Sequence, residues 1–377
     1  MNSMTREELL KRAVAGGAAL SLPGLIPSLA RGASMPRLAK TLTISNWPLY
    51  IDVNEKTKKR PTIEQFQKKT GIHVKYLEDI NDNASFFGKI QGALTHGKST
   101  GRDIIVMTDA SGYPALLIQK GWLEKLDKGA LPNLKNLVPT QQHPAWDAKR
   151  EYSLPWQSGM TGIGYNAKLT KPITSVDQLL TDKKLHGKVT LLTEFGDTLG
   201  PVMLSNGDDP AKVTDASFDR AIKKVEKAFK SGQIRQFTGN DYADKLAKGD
   251  IIAALVWSGD MVQLHADNPK LKWAIPKDGG MIWTDNMLIP KGGSVATAST
   301  YMNFVYDPKI AAQIEDYVNY LCPVAGADRV LLKTSPGVAK NPLIFPTRKT
   351  LSQLHQIDPK AVFNRDYKQK WQRVLGA

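Results

Sequence analysis

Residues 279–290 read GGMIWTDNMLIP, a mostly apolar run in which Trp283 and Asp285 stand two positions apart. In a β-strand, residues i and i+2 point to the same face, so an indole and a carboxylate share one surface. A carboxylate inside an apolar run needs a partner, because an unpaired buried charge is costly. The pairing of an aromatic with an acid recurs along the chain. "ISNWPLYID" holds Trp47, Tyr50 and Asp52, "VMTDASGY" holds Asp109 and Tyr113, "LLTEFGDT" holds Glu194 and Asp197, and "LVWSGD" holds Trp257 and Asp260. Indole and phenol faces attract cations, and carboxylates pair with ammonium groups. A cleft lined in this way suits an organic cation carrying amines.

Other chemistry finds little support. "GIGYNA" at 162–167 fits a dinucleotide-type G-x-G-x-x-A pattern, but Pro172 follows in "KLTKP" and blocks the helix that such a motif must open. No P-loop, H-E-x-x-H or G-x-S-x-G motif is present. The six histidines, at 73, 96, 143, 186, 265 and 355, show no helical ligand spacing, which points to no metal and no cofactor. The lone Cys322, in "NYLCPVAG", has no base beside it and reads as a packing residue. Glu194 and Asp197 leave open a different class, an exported enzyme that uses paired carboxylates on a glycan.

The elements that would position these residues alternate in type. "LTISNWPLYI" is strand-like, "TIEQFQKKTG" has helical spacing with a terminal Gly, "IHVKYLE" alternates as a strand, and "RDIIVMTD" is a short apolar run that suits a buried parallel strand. "SGYPALLIQKGWLEKL" follows as a helix. This order predicts an α/β domain with a mostly parallel sheet. Beyond residue 150, "YSLPWQSGMTGIGYN", "KVTLL", "DIIAALVW" and the two strands of "KLKWAIPKDGGMIWTDNMLIP" surround the helix "FDRAIKKVEKAFKSG". The last part of the chain returns to helices. Strand C-terminal ends in an open α/β sheet are where ligands bind, and the aromatic–acid pairs fall at such ends.

The chain has 377 residues, 41% of them hydrophobic and 23% charged, an ordinary globular composition. Its net charge of +15 raises nucleic acid as a partner. The basic residues are scattered, however, and the densest group, "EKTKKRP" at 55–61, reads as solvated surface. Residues 1–33 carry Arg6, Lys11 and Arg12 ahead of a small-residue apolar stretch, the order of an export signal. The Gly-rich stretch after "LLKR" resembles a twin-arginine signal, with Glu7 where the second arginine would stand. Elsewhere no apolar run of about 18 residues is free of charges and helix breakers, so no membrane insertion is expected once the signal is removed.

From "NWPLY" through "FQKKTGIHVKY", "DIIVMTD", "EYSLPW", "LVWSGD", "GGMIWTDNMLIP" and "FVYDPKIAAQI", the sequence resembles the extracytoplasmic spermidine/putrescine-binding proteins of polyamine ABC transporters. The resemblance implies two α/β lobes joined by crossing strands, with the ligand between them: residues 34–157 plus 285–322 in one lobe and 158–284 plus 323–377 in the other. It implies a periplasmic monomer that is not an enzyme and that hands a polyamine to permease subunits, with no nucleic-acid partner. Carried over residue by residue, Trp47 and Tyr50, with the nearby Asp52, match the first cleft loop, and Thr108 and Tyr113 the second. Trp257 matches an aromatic wall, Glu194 and Asp197 an acid-bearing region, and Tyr320 a late cleft tyrosine. Trp283 and Asp285 match the stacking indole and the amine-binding carboxylate. Leu49 stands where polyamine binders carry an acid, which points towards a shorter or differently charged ligand. The same fold also serves other small solutes.

Overall fold

The computed structural model describes residues 38–376. The expected export signal at 1–33 lies outside the described residues. Ten strands form one mixed sheet: β1 (Thr41–Asn46), β2 (His73–Glu78), β3 (Ile104–Thr108), β4 (Ser153–Asn166), β5 (Val189–Leu192), β6 (Ile234–Thr238), β7 (Ala253–Trp257), β8 (Leu271–Ala274), β9 (Gly280–Leu288) and β10 (Leu354–His355). Their order is β2-β1-β3-β9-β4-β7-β5-β6, with β8 added on β4 and β10 on β9.

The sheet has two parallel ends and an antiparallel middle. At one end β1 runs parallel to β2 and β3, and at the other β5 runs parallel to β6 and β7. The long strands β4 and β9 pair antiparallel with each other and with the inner strand of each end, β3 and β7. The two strands therefore pass from one half of the sheet into the other. The segment after Asn319 passes beside them, since Ser158 and Leu321 exchange two backbone hydrogen bonds of 3.0 and 2.8 Å.

Local sequence accounts for these elements. β3, IIVMT, is buried at every residue, as a parallel strand covered on both faces requires. The helix Pro61–Thr70 starts with Pro at its first position, carries Glu64 in its first turn and Lys68 and Lys69 in its last, and ends at Gly71, whose φ of 72° suits a residue without Cβ. Ile63 and Phe66 face the core. The helix expected over 111–126 differs from expectation. The helix there stops at Gln119, and Gly121, with φ 67°, turns the chain before Trp122. Three of the four basic residues of 55–61 form ion pairs: Lys58 with Glu55 at 2.7 Å, Lys59 with Glu64 at 3.0 Å and Arg60 with Glu78 at 2.9 Å.

All fourteen residues of β4 are buried, and its glycines make that possible. A Cβ built on Gly159 would come within 2.3 Å of the Trp283 ring on the facing strand β9. Gly159→Ala is therefore expected to overpack the crossing strands and to destabilise the fold by about 1–3 kcal/mol, read as a lower urea midpoint at unchanged slope. A midpoint equal to wild type would show that the indole does not rest on Gly159.

Candidate binding site at the crossing strands

Trp283 and Asp285 share the face of β9 that the strand period predicts. Both line a cavity of about 20 Å³, with Trp47, Pro48, Tyr50, Asn240, Trp257, Asp260 and Tyr320. That is room for about one water. One loop from one half of the sheet and two segments from the other join the crossing strands in lining it. The loop after β1 supplies residues 47–50, the loop after β6 supplies Asn240, and the end of β7 with the helix Ser258–Asp267 supplies Trp257 and Asp260.

The aromatic walls touch one another edge to face. Trp47 and Trp257 have ring centroids 5.8 Å apart at 79°, Trp257 and Trp283 6.1 Å apart at 74°, and Tyr50 and Tyr320 5.0 Å apart at 87°. Edge-to-face contact places the positive edge of one ring on the negative face of the next. The Tyr320 ring lies so close to Gly259 that a Cβ there would come within 2.1 Å of it.

Two carboxylates lie on this wall. Asp285 accepts from the hydroxyls of Tyr50 (2.7 Å, Oδ2) and Thr108 (2.6 Å, Oδ1). Asp260 accepts from Tyr242 (2.6 Å), Tyr320 (2.8 Å) and the Asn240 amide (2.9 Å). Each therefore has protein donors, all of them neutral, and neither forms an ion pair among the described residues. Burial pushes Asp285 up to about 7, against its two hydroxyl donors, with the nearby charges of Asp109 and Asp197 adding to the rise. Burial also raises Asp260, against its three donors. Both acids are thus poised to gain from a cation.

Asp197 stands behind the wall and orients it. It accepts from the Trp257 indole N–H at 3.0 Å and from Thr161 at 2.7 Å, and the Thr161 hydroxyl in turn accepts from the Trp283 N–H at 3.0 Å. Burial pushes Asp197 up to about 6. Its place in the first turn of the helix Phe195–Ser205 offsets part of that effect. The Trp47 indole N–H is buried without a partner among the described residues.

The expected site residues divide into three groups. Trp47, Tyr50, Trp257, Trp283, Asp285 and Tyr320 line the cavity. Thr108 and Asp197 hold lining side chains from behind. Asp52, Tyr113 and Glu194 are placed elsewhere. Asp52 caps the helix Pro61–Thr70 through the Thr62 N–H (3.0 Å) and hydroxyl. Tyr113 stacks on Phe87 at 4.6 Å. Glu194, pushed up to about 8 by burial, accepts from the Asn83 backbone N–H (2.9 Å) and side-chain amide (2.7 Å). Leu49 is 43% exposed with φ 57°, and its neighbour Pro48 lines the cavity instead. Sequence reasoning missed Asn240 and Pro48. It noticed Asp260 beside Trp257 without assigning it to the site, although its place one turn into a helix that starts at a strand end was the available signal.

Comparison with known proteins agrees with this architecture. The family of bacterial extracellular solute-binding proteins matches residues 62–347. Among characterised relatives, the putrescine-binding periplasmic protein SpuD of Pseudomonas aeruginosa is 28% identical, with 94% of this chain and 96% of that protein covered. The putrescine-binding periplasmic protein PotF of Escherichia coli is also 28% identical, over 94% and 97%. A solved Listeria monocytogenes chain assigned to spermidine/putrescine ABC transport superposes with a TM-score of 0.76 at 27% identity, covering 89% of this chain and 98% of that one. The GABA receptor Atu4243 shares the fold alone, with a TM-score of 0.68 at 20% identity and coverage of 89% and 97%. The fold is the two-lobed one of periplasmic binding proteins, and the chain belongs to the bacterial extracellular solute-binding protein family.

Proposed function

We propose that this protein captures a polyamine of the putrescine or spermidine type outside the cytoplasm and delivers it to the permease of an ABC transporter, without turning it over. The observation that carries this reading is the pair of carboxylates, Asp285 and Asp260, on one indole-walled cavity with only neutral donors around them. Two ammonium groups joined by methylenes supply what that wall lacks. Each charge meets a carboxylate, and the apolar chain lies on the faces of Trp47, Trp257 and Trp283. The names of the relatives support the same ligand class and the same transport role. The halves of the sheet on either side of β4 and β9 act as the two lobes. A cavity of about 20 Å³ is smaller than any diamine, so the lobes part to admit the ligand and close on it by hinge bending.

Calorimetry with putrescine and spermidine tests the reading. Asp285→Asn keeps the shape and an acceptor oxygen but removes the charge. Hydrogen bonds to charged groups contribute about 1.5–3 kcal/mol, so binding should weaken roughly 10- to 150-fold while the fold is retained. Trp283→Leu should weaken binding through loss of a cation–π contribution of about 0.5–2 kcal/mol. An Asp285→Asn variant that binds both amines like wild type would overturn the assignment.

The raised carboxyl groups also fix a pH dependence. Asp285 moves from an ordinary value of 3.8 to about 7, so the folded protein without amine holds a proton that the unfolded chain has lost. Its contribution to stability is full below the unfolded value and is lost as pH rises through about 7. Amine binding needs the ionised form and should strengthen over that same rise. Melting curves from pH 5 to 8, with and without putrescine, should therefore diverge with increasing pH. A stabilisation by putrescine that is largest at pH 5 would contradict this sign.

A further inference from the structure

The crossing strands have a second face. Along β9, Trp283 and Asp285 look into the cavity described above, while Ile282 and Thr284 line another on the reverse side. Ser158, whose hydroxyl lies 2.8 Å from that of Thr284, and Leu321, next to Tyr320, follow the same alternation. This rear cavity, open to solvent on one side, measures about 620 Å³, within the range of small-molecule sites. The C-terminal segment closes it with Phe345, Ile357 and Phe363.

One carboxylate on its wall is only half used. Asp109 Oδ1 accepts the backbone N–H groups of Ala110 (2.7 Å) and Thr284 (2.9 Å), which fixes the side chain. Its Oδ2 has no hydrogen-bond partner among the described residues, and Asp109 forms no ion pair among them. Arg150 also lines the cavity, but its guanidinium is committed. Nε and Nη2 donate to the Gln141 carbonyl at 2.9 and 2.6 Å, and Nη1 donates to Ser153 and Asn286 at 2.8 Å each. Burial pushes Asp109 up to about 6, against its two backbone donors and the nearby Arg150 charge, so above neutral pH it is an anion that shares the cavity wall with one cation.

A roomy, largely apolar chamber with one open carboxylate oxygen differs from the front cavity, which has two acids and walls of indole. We propose that the rear cavity is a second ligand site, for a monoamine with an apolar or aromatic body. The ammonium group meets Asp109 Oδ2, and the body lies on Phe345, Ile357 and Phe363. The proposal goes beyond the polyamine reading and does not rest on it. Because Asp109 holds the Thr284 N–H, an occupant there touches the same strand that presents Asp285 on its other face.

Titration calorimetry at pH 8 on the chain tests this with 2-phenylethylamine, its neutral counterpart 2-phenylethanol and the acid 3-phenylpropionate. The amine should saturate one site, and the alcohol and the acid should bind at least about tenfold more weakly, the factor that one lost charged hydrogen bond implies. Asp109→Asn retains Oδ1 for both backbone N–H groups and should weaken the amine about tenfold. Asp285→Asn should leave its affinity within about twofold of wild type. Ala115→Trp, which fills the rear cavity from its wall, should abolish binding and serves in place of Asp109→Asn if that variant does not fold. Absence of amine binding up to about 10 mM, equal binding of the alcohol or preference for the acid overturns the proposal. So does loss of amine binding in Asp285→Asn, which would place the amine in the front cavity.

Discussion

The organising constraint is a set of carboxylates buried together without a cation. Asp285, Asp260 and Asp197 cluster around one small cavity, and each is raised by its loss of water. An isolated buried carboxylate would cost several kcal/mol or take up a proton. The protein keeps the cost tolerable with neutral donors: hydroxyls on Asp285, two phenols and an amide on Asp260, and an indole N–H and a hydroxyl on Asp197. Helix first turns help for Asp197 and Asp260. The donors hold the side chains in place but supply no net charge, so the electrostatic demand remains for an external cation to meet.

That arrangement depends on the crossing strands. Asp285 pairs in register with Thr108 on β3 and with Gln157 on β4, so the acid sits where both strands meet. Gly159 of β4 lets the Trp283 indole approach the neighbouring backbone closely. On either side, loops from the two parallel ends approach each other. The Asn83 amide after β2 reaches Glu194 after β5, and the Asn240 N–H after β6 reaches the Asn81 carbonyl at 3.4 Å. One polar chain links these layers: Glu194 accepts from Asn83, whose amide also donates to Thr108, whose hydroxyl donates to Asp285. The chain runs from Asp285 to a contact between the two halves of the sheet.

The regular parts of the candidate site were legible in the sequence. Trp283 and Asp285 follow from the period of two in an apolar strand, and Trp257 from its place at the end of another. The α/β order follows from helical and strand spacing in turn. What was not legible lies where the backbone leaves regular structure. Asp52, two residues past Tyr50, shares no strand with it and turns to cap a helix ten residues on. Tyr113 begins a helix and packs on Phe87 rather than facing the cavity. Asn240 sits in a loop that no periodicity describes. Asp260 needed knowledge that a helix starts at Ser258, directly after the strand, which brings the acid to the cavity that Trp257 lines.

The central claim is that this cavity awaits charge and not merely a slender apolar chain. Comparison of 1,4-diaminobutane with 1,4-butanediol, which has nearly the same shape and no charge, tests it most directly. At pH 8 the diamine should raise the melting temperature in a saturable, concentration-dependent way, as a ligand of the native state does, and the diol should leave it unchanged. Equal stabilisation by the two compounds, or none by the diamine, would contradict the account.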